Sequence, residues 1–568
     1  MPPSPSMRPP GAEPPVRVRG DACPGALRLH SAADGHLARV RIPAGDLTVR
    51  QASALADAAD RLGDGHLSLT SRGNVELRGL PDDCGAHLAG LLRDAGLLPS
   101  ERHERIRNIL ASPLAGLDRN TPADVRLWAR ELDALLCASE SATALSGRFL
   151  FVLDDGRGDV AALGGDVSLV AEPGAGAASG AASALASAPA SAGRTSSGAG
   201  ALLRVGDDPA ALRVAGPDAP RAALVAAESF LAAAGASGSG AWRVRELPDG
   251  QRPTALDVAE ALRAAGIAAE YVAGGAGCAA GDAECAAGDA ERAAGDAERA
   301  GGAPRPPAVY ADSSAPGLVE GPDGRHALSV LAPLGRLSTA QWRLLIATAA
   351  DHGSGELRLT PWRGIVIPGL SGLPALPGLR GLPGLSGPPA TTAADRMAAL
   401  SAAGLVTDPA SPWHRLGACT GRPGCAKSLT DVRTDATTAI EAGAPLPGAS
   451  LPDTSTPVTP TPSPSAPSDP APPAPFTVPR GLPVHWSGCE RRCGHPHGTW
   501  VDVLATPEGY RVSVVRPYAP ASPVTRETSP ARPSAPPPPG TPAPAPATQE
   551  PSVPRPYAPP VTQETRPQ

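Results

Sequence analysis

The sequence predicts an α+β fold with pseudo-twofold symmetry, because one β-α-β unit occurs twice in it. Shifting the register by 290 residues aligns residues 36–80 with residues 326–370 without a gap, and fifteen of the forty-five aligned positions are identical. In both copies the helix begins at a Ser/Thr-x-x-Gln capping box, and glycines stand at the same turns. Chance matches in a chain rich in Ala and Gly would not also preserve this cap and turn chemistry. We therefore interpret the repeat as an internal duplication whose two copies pack together.

The first copy shows the pattern most clearly. A strand is predicted over LARVRIP after His36, and Thr48 with Gln51 caps a helix that ends near Leu62. After Gly63, the segment HLSLTSRGNVELRGL alternates between apolar and polar residues and is predicted as one further strand. Each copy is thus expected to be a β-α-β unit.

Composition divides the rest of the 568-residue chain. With 70 prolines, 64 glycines and an aromatic content of 3%, much of its length lacks the side chains that a core requires. The predicted parts are a disordered tail at 1–20, the first half-domain at 21–100, an α/β domain at 101–271 with a low-complexity insert at 172–200, a low-complexity repeat at 272–304, the second half-domain at 305–372, a cysteine-bearing domain at 397–515 with a Pro-rich insert at 443–478, and a disordered Pro-rich tail at 516–568.

Charge and hydropathy limit the possible partners. A net charge of −6 and a pI of about 6.0 give no global electrostatic case for nucleic acid or an anionic membrane surface. The first twenty residues have no apolar core of a signal peptide, and no stretch reads as a membrane span. We expect a cytoplasmic protein that binds neither nucleic acid nor membrane. In that compartment its nine cysteines are free thiols or metal ligands.

Four cysteines form the most specific motif in the chain. Cys419 and Cys425 are spaced C-x5-C, and Cys489 and Cys493 are spaced C-x3-C. Together they supply the four thiolates that a cubane 4Fe-4S cluster needs. Structural zinc normally takes C-x2-4-C pairs, so one of these pairs fits zinc poorly, and disulfides need an oxidising compartment. Zinc, a disulfide and unconnected thiols remain the alternatives.

A row of polar residues marks a candidate anion site in the first copy. Thr70, Arg72, Asn74, Glu76 and Arg78 alternate with apolar residues along the predicted strand. A solvated strand face is the ordinary interpretation of such a row. Guanidinium groups grip carboxylates in a bidentate manner, however, so the row also suits a ligand with many carboxylates.

These motifs resemble the siroheme-dependent nitrite and sulfite reductases and their relative precorrin-3B synthase. The two cysteine pairs stand among glycines as they do there, and Thr70-Ser71-Arg72 matches a T-x-R motif that contacts tetrapyrrole and substrate. Arg107 and Asn108 resemble an R-N-[VI] stretch that supplies another anion-binding arginine. The resemblance implies two ferredoxin-like half-domains, each followed by an α/β domain for cluster and tetrapyrrole binding, with Cys493 nearest the tetrapyrrole.

Two short contexts resemble precorrin-3B synthase more than the reductases. The sequence HWSGC ends at Cys489, where the reductases usually read T-G-C-P-N-G-C, and CGHP begins at Cys493. Sulfite reductases also carry R-K-F-K with two lysines, whereas here the segment Gly147-Arg148-Phe149-Leu150 keeps one cation, Arg148. Reduction of sulfite or nitrite consumes many protons, so loss of a donor weakens that interpretation.

The resemblance to precorrin-3B synthase implies an enzyme that hydroxylates precorrin-3A at C20 and forms a lactone. It would use O2 and electrons from an external donor, such as an NAD(P)H-dependent reductase or ferredoxin. The implied cofactors are a 4Fe-4S cluster and a mononuclear non-haem iron. His485, His495 and His497 could ligate that iron, or instead hydrogen-bond cluster sulfurs or backbone. The residues expected to bind the tetrapyrrole are Thr70, Arg72, Asn74, Arg78, Arg107, Asn108 and Arg148.

Two other functions remain open from the sequence. A siroheme-dependent nitrite or sulfite reductase would keep its tetrapyrrole bound, with Cys493 as a bridge to the siroheme iron. A cluster-bearing electron carrier or sensor would have no substrate. The one-sided arginine row argues against a carrier, since a carrier needs no large anion cavity. The second copy lacks the row, having Trp362 in place of Arg72, so we expect it chiefly to scaffold, with Trp362 and Arg363 flanking the ligand.

Overall fold

A computed structural model describes residues 21, 23–118, 121, 123–172, 200–273, 313–322, 325–370, 393–442 and 482–516. The predicted tail at 1–20, all of the tail at 516–568 except residue 516, and nearly all of the three predicted low-complexity or Pro-rich inserts lie outside these residues. Within the described ranges, no helix combines the length and the apolar character needed to cross a bilayer.

The described residues form twenty strands and eight α-helices. The first copy contains β1 (His30–Ala32), β2 (Gly35–Val40), β3 (Asp46–Thr48), α1 (Val49–Leu62), β4 (His66–Leu69), β5 (Val75–Leu80) and α2 (Gly85–Asp94). The next segment contains β6 (Ile109–Ala111), α3 (Arg126–Ala138), β7 (Phe151–Asp154), β8 (Val167–Ala171), β9 (Gly200–Val205), β10 (Ala211–Ala215), α4 (Ala219–Ser237), α5 (Ala255–Ala264) and β11 (Ala269–Val272). The second copy contains β12 (Gly317–Glu320), β13 (His326–Leu331), β14 (Arg336–Ser338), α6 (Thr339–His352), β15 (Glu356–Leu359) and β16 (Gly364–Leu370). The last segment contains α7 (Ala393–Ala402), β17 (Leu416–Ala418), α8 (Val432–Glu441), β18 (Val484–Ser487), β19 (Trp500–Thr506) and β20 (Gly509–Val515).

Each copy contributes a short strand to the sheet of the other copy. The two sheets have the orders β1-β2-β5-β4-β14 and β12-β13-β16-β15-β3. Ser338 of β14 pairs with His66, and Thr48 of β3 pairs with Glu356. The shift of 290 residues converts one pair into the other, since 48 + 290 = 338 and 66 + 290 = 356. The predicted pseudo-twofold symmetry is therefore confirmed in the strand pairing itself.

The two central helices form the centre of a shared core. Both predicted capping boxes are present, at Thr48 on α1 and at Ser338 on α6. The indole N–H of Trp342 on α6 donates to the carbonyl oxygen of Ala52 on α1, at 2.8 Å. Buried leucines from both copies, such as Leu55 and Leu345, belong to one hydrophobic cluster. Because neither amphipathic helix can bury its apolar face alone, the copies stabilise each other.

The single strand predicted across residues 66–80 is wrong, because the structure has a hairpin there. Strands β4 and β5 are antiparallel, and Ser68 lies opposite Glu76. The hydroxyl of Thr70 accepts hydrogen bonds from the backbone N–H groups of Arg72 and Asn74, at 3.3 and 3.1 Å. This local bonding competes with continued strand pairing and turns the chain, so the T-x-R residues lie in a turn instead of on a strand face.

The segment between the copies folds into a mixed sheet of six strands, in the order β11-β10-β9-β8-β7-β6, with α3, α4 and α5. Strands β6, β7 and β8 are parallel, and the pairs from β8 to β11 are antiparallel. The backbone N–H of Glu172 donates to the carbonyl of Gly200 at 2.9 Å. The predicted insert at 172–200 therefore departs from the end of a β8–β9 hairpin. Such a place tolerates a long excursion, because closure entropy rises slowly with loop length.

The loop after β7 contains a carboxyl group with a shifted pKa. Asp159 accepts hydrogen bonds from the hydroxyls of Ser112 and Ser313, both at 2.6 Å. Burial and the nearby charge of Asp154 raise the pKa of Asp159 to about 6. Ionisation therefore costs the folded state free energy, and the free energy of unfolding should fall as the pH rises from about 4 to about 6. Asp159→Asn should remove this fall and increase the free energy of unfolding at neutral pH by about 1–3 kcal/mol.

Urea unfolding of the wild type and Asp159→Asn across this pH range tests the prediction. Asp249→Asn is the matched control, because the Asp249 side chain is 94% exposed. An unchanged pH dependence in Asp159→Asn would show that another group titrates.

The last segment forms a four-stranded sheet in the order β17-β18-β19-β20, parallel except for β20. Helix α7 overlaps the start of the predicted cysteine-bearing domain and packs on the duplicated core. Leu400 and Leu405 belong to the core cluster of the two copies, and Val406 forms a bridge with Leu331 of β13. The chain thus stays in contact with the duplicated core up to Val406, ten residues before β17 begins at Leu416.

Candidate functional site

The first and third cysteines follow neighbouring parallel strands. Cys419 directly follows β17, and Cys489 follows β18 by one residue. The backbone N–H of Cys419 donates to the carbonyl of Trp486 at 2.9 Å. The backbone N–H of Gly488 donates to Cys419 Sγ at 3.3 Å. Because β17 and β18 run side by side, two thiols that are seventy positions apart leave the same edge of the sheet.

The other two cysteines lie on the loops that follow. The backbone N–H of Cys425 donates to Gly421 at 2.8 Å, and that of Leu429 donates to Gly488 at 2.9 Å, which ties the two loops together. Burial raises the pKa of the Cys493 thiol, and the charges of the other three cysteines raise that pKa further. Each of the other three thiols is therefore near enough to Cys493 for its charge to affect that thiol.

The donor set and its surroundings fit a 4Fe-4S cluster. Such a cluster requires four thiolates, and a backbone N–H directed at a ligand sulfur is a typical supporting contact. A Cβ at Gly488 would lie 1.8 Å from Ser428 Oγ, so only glycine allows the loops to approach so closely. The buried His485 Nδ1 and Ser487 Oγ, on the strand that leads to Cys489, have no hydrogen-bond partner among the described residues. The ligand roles of the cysteines stay a prediction that this geometry supports.

The three histidines near the cysteines, His485, His495 and His497, make different contacts. The Nε2–H of His485 donates to the carbonyl of Cys493 at 3.1 Å. Burial, followed by the nearby Arg363 cation, lowers the pKa of His485 well below 6.5, so its imidazole is neutral. His495 stacks on Trp500, with ring centroids 5.2 Å apart, and it lines a cavity of about 270 Å³ together with His497.

These three histidines do not share a metal centre in the structure. Among the described residues, the one group of three ligand-type side chains with atoms within 4.8 Å of one another is Asp154, Asp155 and Asp159. Of the two roles considered for these histidines, iron ligation is therefore not supported by their arrangement among the described residues.

A cavity of about 600 Å³ lies between the first copy and the cysteine loops. Cys419 and Cys493 line it, so the cavity adjoins the cysteine site. The described residues contribute eight arginines and two carboxylates to its wall, which leaves 8 − 2 = 6 positive charges in excess. They are Arg39, Arg41, Arg72, Arg78, Arg148, Arg363, Arg433 and Arg491, with Asp21 and Glu76. A wall of this charge concentrates a positive potential and suits a polyanion.

Burial makes several of these arginines costly to keep charged. It lowers the pKa of Arg41 to about 9, and that of Arg72 and of Arg433 to about 10. Neighbouring arginines lower each of these pKa values further. The positive charges are therefore incompletely compensated by the protein, and an anionic ligand would relieve their repulsion.

Five of the seven residues predicted to bind the ligand line this cavity: Thr70, Arg72, Asn74, Arg78 and Arg148. Arg72 donates from Nη1 to the carbonyl of Arg148 at 3.2 Å, which joins the hairpin turn to the loop before β7. The guanidinium of Arg148 lies 5.3 Å from the ring centroid of Trp242, a cation–π arrangement. The two arginines therefore form one side of the cavity.

Arg107 and Asn108 lie outside the cavity. Arg107 forms a bidentate ion pair with Asp133 of α3, at 2.7 Å, and donates to the carbonyl of Leu97 at 3.0 Å. The expected anion contact is therefore not made by Arg107, because an internal carboxylate already occupies its guanidinium. Asn108 is buried and accepts from Asn74 Nδ2 at 3.2 Å, so it orients a residue of the wall.

Four arginines of the wall were not predicted. Arg39 is on β2, opposite Glu76 of β5, and Arg41 directly follows the end of β2. Their two-residue spacing in LARVRIP was a usable signal, because it puts both on one strand face. Arg433 is the second residue of α8 and Arg491 lies between two cysteines, and nothing in their local sequence points to the cavity.

Arg78 connects the first copy to the cysteine loop. It makes two hydrogen bonds to Asp34 at 2.9 Å, one to Glu76 at 2.8 Å, and one from Nη2 to the carbonyl of Gly424 at 2.7 Å. Arg78→Gln would leave the partly buried Asp34 carboxylate unpaired, and it would leave Glu76 with Arg39 as its remaining ion-pair partner. We expect it to lower the free energy of unfolding by about 2–4 kcal/mol.

Equilibrium urea unfolding measures this loss. The matched control is Arg336→Gln, because Arg336 is 38% exposed and pairs with Asp64 at the surface. That change should cost less than about 1 kcal/mol. Equal losses in the two variants would mean that the Arg78 network contributes no more than a surface ion pair.

Both copies match a known protein family. The family described as nitrite/sulfite reductase ferredoxin-like half domain matches residues 30–86 and 319–372. The chain therefore carries two copies of this half-domain, and the predicted resemblance to the nitrite and sulfite reductase superfamily is confirmed. A relative named precorrin-3B synthase, from Sinorhizobium sp, is 36% identical over 155 residues, which is 27% of this chain and 33% of that protein.

Other relatives come from the reductase side of the superfamily. Ferredoxin–nitrite reductase of Synechococcus elongatus is 35% identical over 127 residues, covering 21% of this chain and 25% of that protein. The enzyme of the same name from Leptolyngbya laminosa is 34% identical over 100 residues, covering 17% and 20%. The chain thus matches a third or less of the length of these curated relatives.

A solved structure shares the fold. The NirA protein of Mycobacterium tuberculosis superposes with a TM-score of 0.51 at 16% identity, covering 84% of this chain and 74% of that one. At this identity the likeness concerns the fold alone, and it agrees with the predicted plan of two half-domains with associated α/β domains.

Proposed function

We propose that the chain is an oxidoreductase acting on a bound tetrapyrrole, and specifically a precorrin-3B synthase. The reaction would be the O2-dependent hydroxylation of precorrin-3A at C20, with lactone formation, in the aerobic route to corrins. The observation that carries the proposal is the cavity with six excess positive charges beside four cysteines. A tetrapyrrole with carboxylates around its edge is the kind of ligand that such a wall would hold.

The residues of the cavity would orient the ring by its carboxylates. Arg72 and Arg148 present guanidinium groups from one side, and Arg433 presents one from the start of α8. Glu76 accepts hydrogen bonds from Arg39 and Arg78, at 2.9 and 2.8 Å, and so holds these two side chains in fixed orientations. Preorganised cations lose little conformational entropy on binding, which favours tight and oriented binding.

The proposed reaction needs an external electron pair. One oxygen atom of O2 enters the C20 hydroxyl group and the other leaves as water, so a donor such as an NAD(P)H-dependent reductase or ferredoxin must supply two electrons. A 4Fe-4S cluster held by Cys419, Cys425, Cys489 and Cys493 would relay those electrons towards the cavity. The contact between Cys493 and the cavity wall supports this path.

The distribution of proton donors favours the oxygenase over a reductase. The chain has one lysine, Lys427, and it lies exposed on the loop after Cys425. Leu150 stands where the sulfite reductases have a lysine, and it is 3% exposed in an apolar cluster with Leu110 and Val152. The described cavity wall therefore offers no lysine to protonate a small oxyanion, a task that reduction of nitrite or sulfite repeats several times.

A siroheme-dependent nitrite or sulfite reductase is the second candidate. It is favoured by the position of Cys493 on the cavity wall, where a thiolate could bridge a cluster and a siroheme iron. The two ferredoxin–nitrite reductases among the relatives also support it.

The visible spectrum of anaerobically purified protein separates the two functions. A precorrin-3B synthase should show the broad absorption of a cluster without siroheme bands, and it should convert precorrin-3A only when O2 and an electron donor are present. Siroheme bands together with turnover of nitrite or sulfite, and no conversion of precorrin-3A, would overturn the proposal.

A further inference from the structure

Arg363 occupies a backbone position at which the first copy has a glycine. The 290-residue shift aligns it with Gly73, since 363 − 290 = 73, and the two residues have φ values of 63° and 64°. Glycine adopts this left-handed conformation without strain, whereas an arginine does so at a cost. Strained backbone of this kind persists mainly where a side chain has a task. The second copy thus has an arginine in a left-handed backbone conformation that glycine would adopt without strain.

Glycines make room for the Arg363 side chain. A Cβ at Gly417 would lie 2.6 Å from Arg363 Nη1, and a Cβ at Gly494 would lie 2.7 Å from Nη2. Nη2 donates to the carbonyl of Gly494 at 2.9 Å. Gly417 is on β17, two residues before Cys419, and Gly494 directly follows Cys493. The guanidinium therefore lies in a slot between the two cysteine loops.

The same guanidinium faces two cavities. Arg363 lines the 600 Å³ cavity and also a second cavity of about 270 Å³ that contains Trp362, Trp413 and His497. The described residues give it no ion-pair carboxylate, and a negative charge on Cys419 would favour the charged guanidinium by raising the pKa of Arg363. A half-buried cation in this position acts on the charge of a cluster and on an anion in the cavity, because the protein excludes part of the water that would screen it.

We propose that Arg363 is a positioning residue with two tasks: its charge raises the reduction potential of the cluster bound by Cys419 and its partners, and its free edge binds a carboxylate of the tetrapyrrole from the cluster side. An added electron on the cluster is stabilised by a close positive charge, which makes reduction easier. The second task rests on the proposed function, and the first rests only on the cysteine site.

Arg363→Gly tests both tasks without endangering the fold, because it restores the residue of the first copy and removes the backbone strain. Its unfolding temperature should equal or exceed that of the wild type, with iron content unchanged. Its cluster should have a more negative midpoint potential in an EPR-monitored redox titration. Its affinity for uroporphyrin, a porphyrin with carboxylates around the ring, should fall by about tenfold in a fluorescence-quenching titration.

Three further variants separate charge from shape. Arg363→Lys keeps the charge and should restore most of the potential, but only part of the affinity, since an ammonium lacks the guanidinium fork. Arg491→Gln removes an exposed cation beside Cys493, and solvent screening should make its shift in potential smaller. Arg148→Gln, on the other side of the cavity next to Trp242, should lower affinity without changing the potential.

The dual role is overturned if Arg363→Gly keeps the wild-type potential or the wild-type affinity for uroporphyrin. It is also overturned if Arg363→Lys behaves like the glycine variant in the redox titration. Failure of the proposed function has a different signature. If the wild type does not convert precorrin-3A, the proposed function fails. The effects of Arg363→Gly on the cluster potential and on uroporphyrin affinity would still be measurable.

Discussion

Replacing Cys419 with serine is expected to abolish cluster binding, with iron and acid-labile sulfide falling from full occupancy to near zero. A serine hydroxyl is a far weaker ligand for a cubane iron than a thiolate. Cys419 is also the sulfur that receives the backbone N–H of Gly488, at 3.3 Å, so its loss removes a ligand and a positioning contact together. Colorimetric iron and sulfide assays on anaerobically purified protein, with the broad visible absorption, measure the effect.

Cys137→Ser is the matched control for this substitution. Cys137 is a half-buried free thiol on α3, remote from the cysteine loops in the fold. The same atom exchange there should leave iron and sulfide unchanged. Full iron and sulfide in Cys419→Ser would remove the cluster from the proposed function, and with it the path for electrons into the cavity.

The second large effect is expected for ligand binding by Arg72→Gln. Arg72 lies in the hairpin turn at the cavity wall, and burial lowers its pKa to about 10. An anionic ligand would relieve that cost through charge-assisted hydrogen bonds, each worth about 1.5–3 kcal/mol. Affinity for a polycarboxylate tetrapyrrole should therefore fall by about 10- to 100-fold, measured by fluorescence quenching with uroporphyrin.

A surface arginine provides the control for the charge change itself. Arg343 on α6 pairs with Asp57 and Asp60, and its side chain is 49% exposed. Arg343→Gln has the same effect on net charge but should leave porphyrin affinity within about twofold, because a distant exposed charge is screened by salt. Similar losses in the two variants would indicate a general electrostatic effect instead of a contact at Arg72.

Several features of the fold were predictable because their signals are local. A capping box links a side chain to backbone groups three residues away, so Thr48 and Ser338 were enough to predict the starts of α1 and α6. The duplication was visible because equivalent turns keep glycine at equal spacing. The hairpin at Thr70 was also a local signal, but its alternation of apolar residues resembled one longer strand.

The site was harder to predict than the fold. The T-x-R turn and Arg78 do line the cavity, whereas Arg107 is held by Asp133 from a helix twenty-six residues later in the chain. Periodicity and motifs describe what a residue offers. They do not predict which carboxylate from a distant part of the chain will pair with that residue in the folded protein.

The sequence by itself determined the repeat, the helix starts and the supply of four thiols, because each depends on residue types at short spacing. Only the tertiary structure decided that β3 and β14 exchange between the copies, that eight arginines from separate segments surround one cavity, and that Arg363 reaches both cysteine loops. These arrangements join residues hundreds of positions apart. They arise because burying the shared core of the two copies brings their edges together, and local sequence carries no record of that packing.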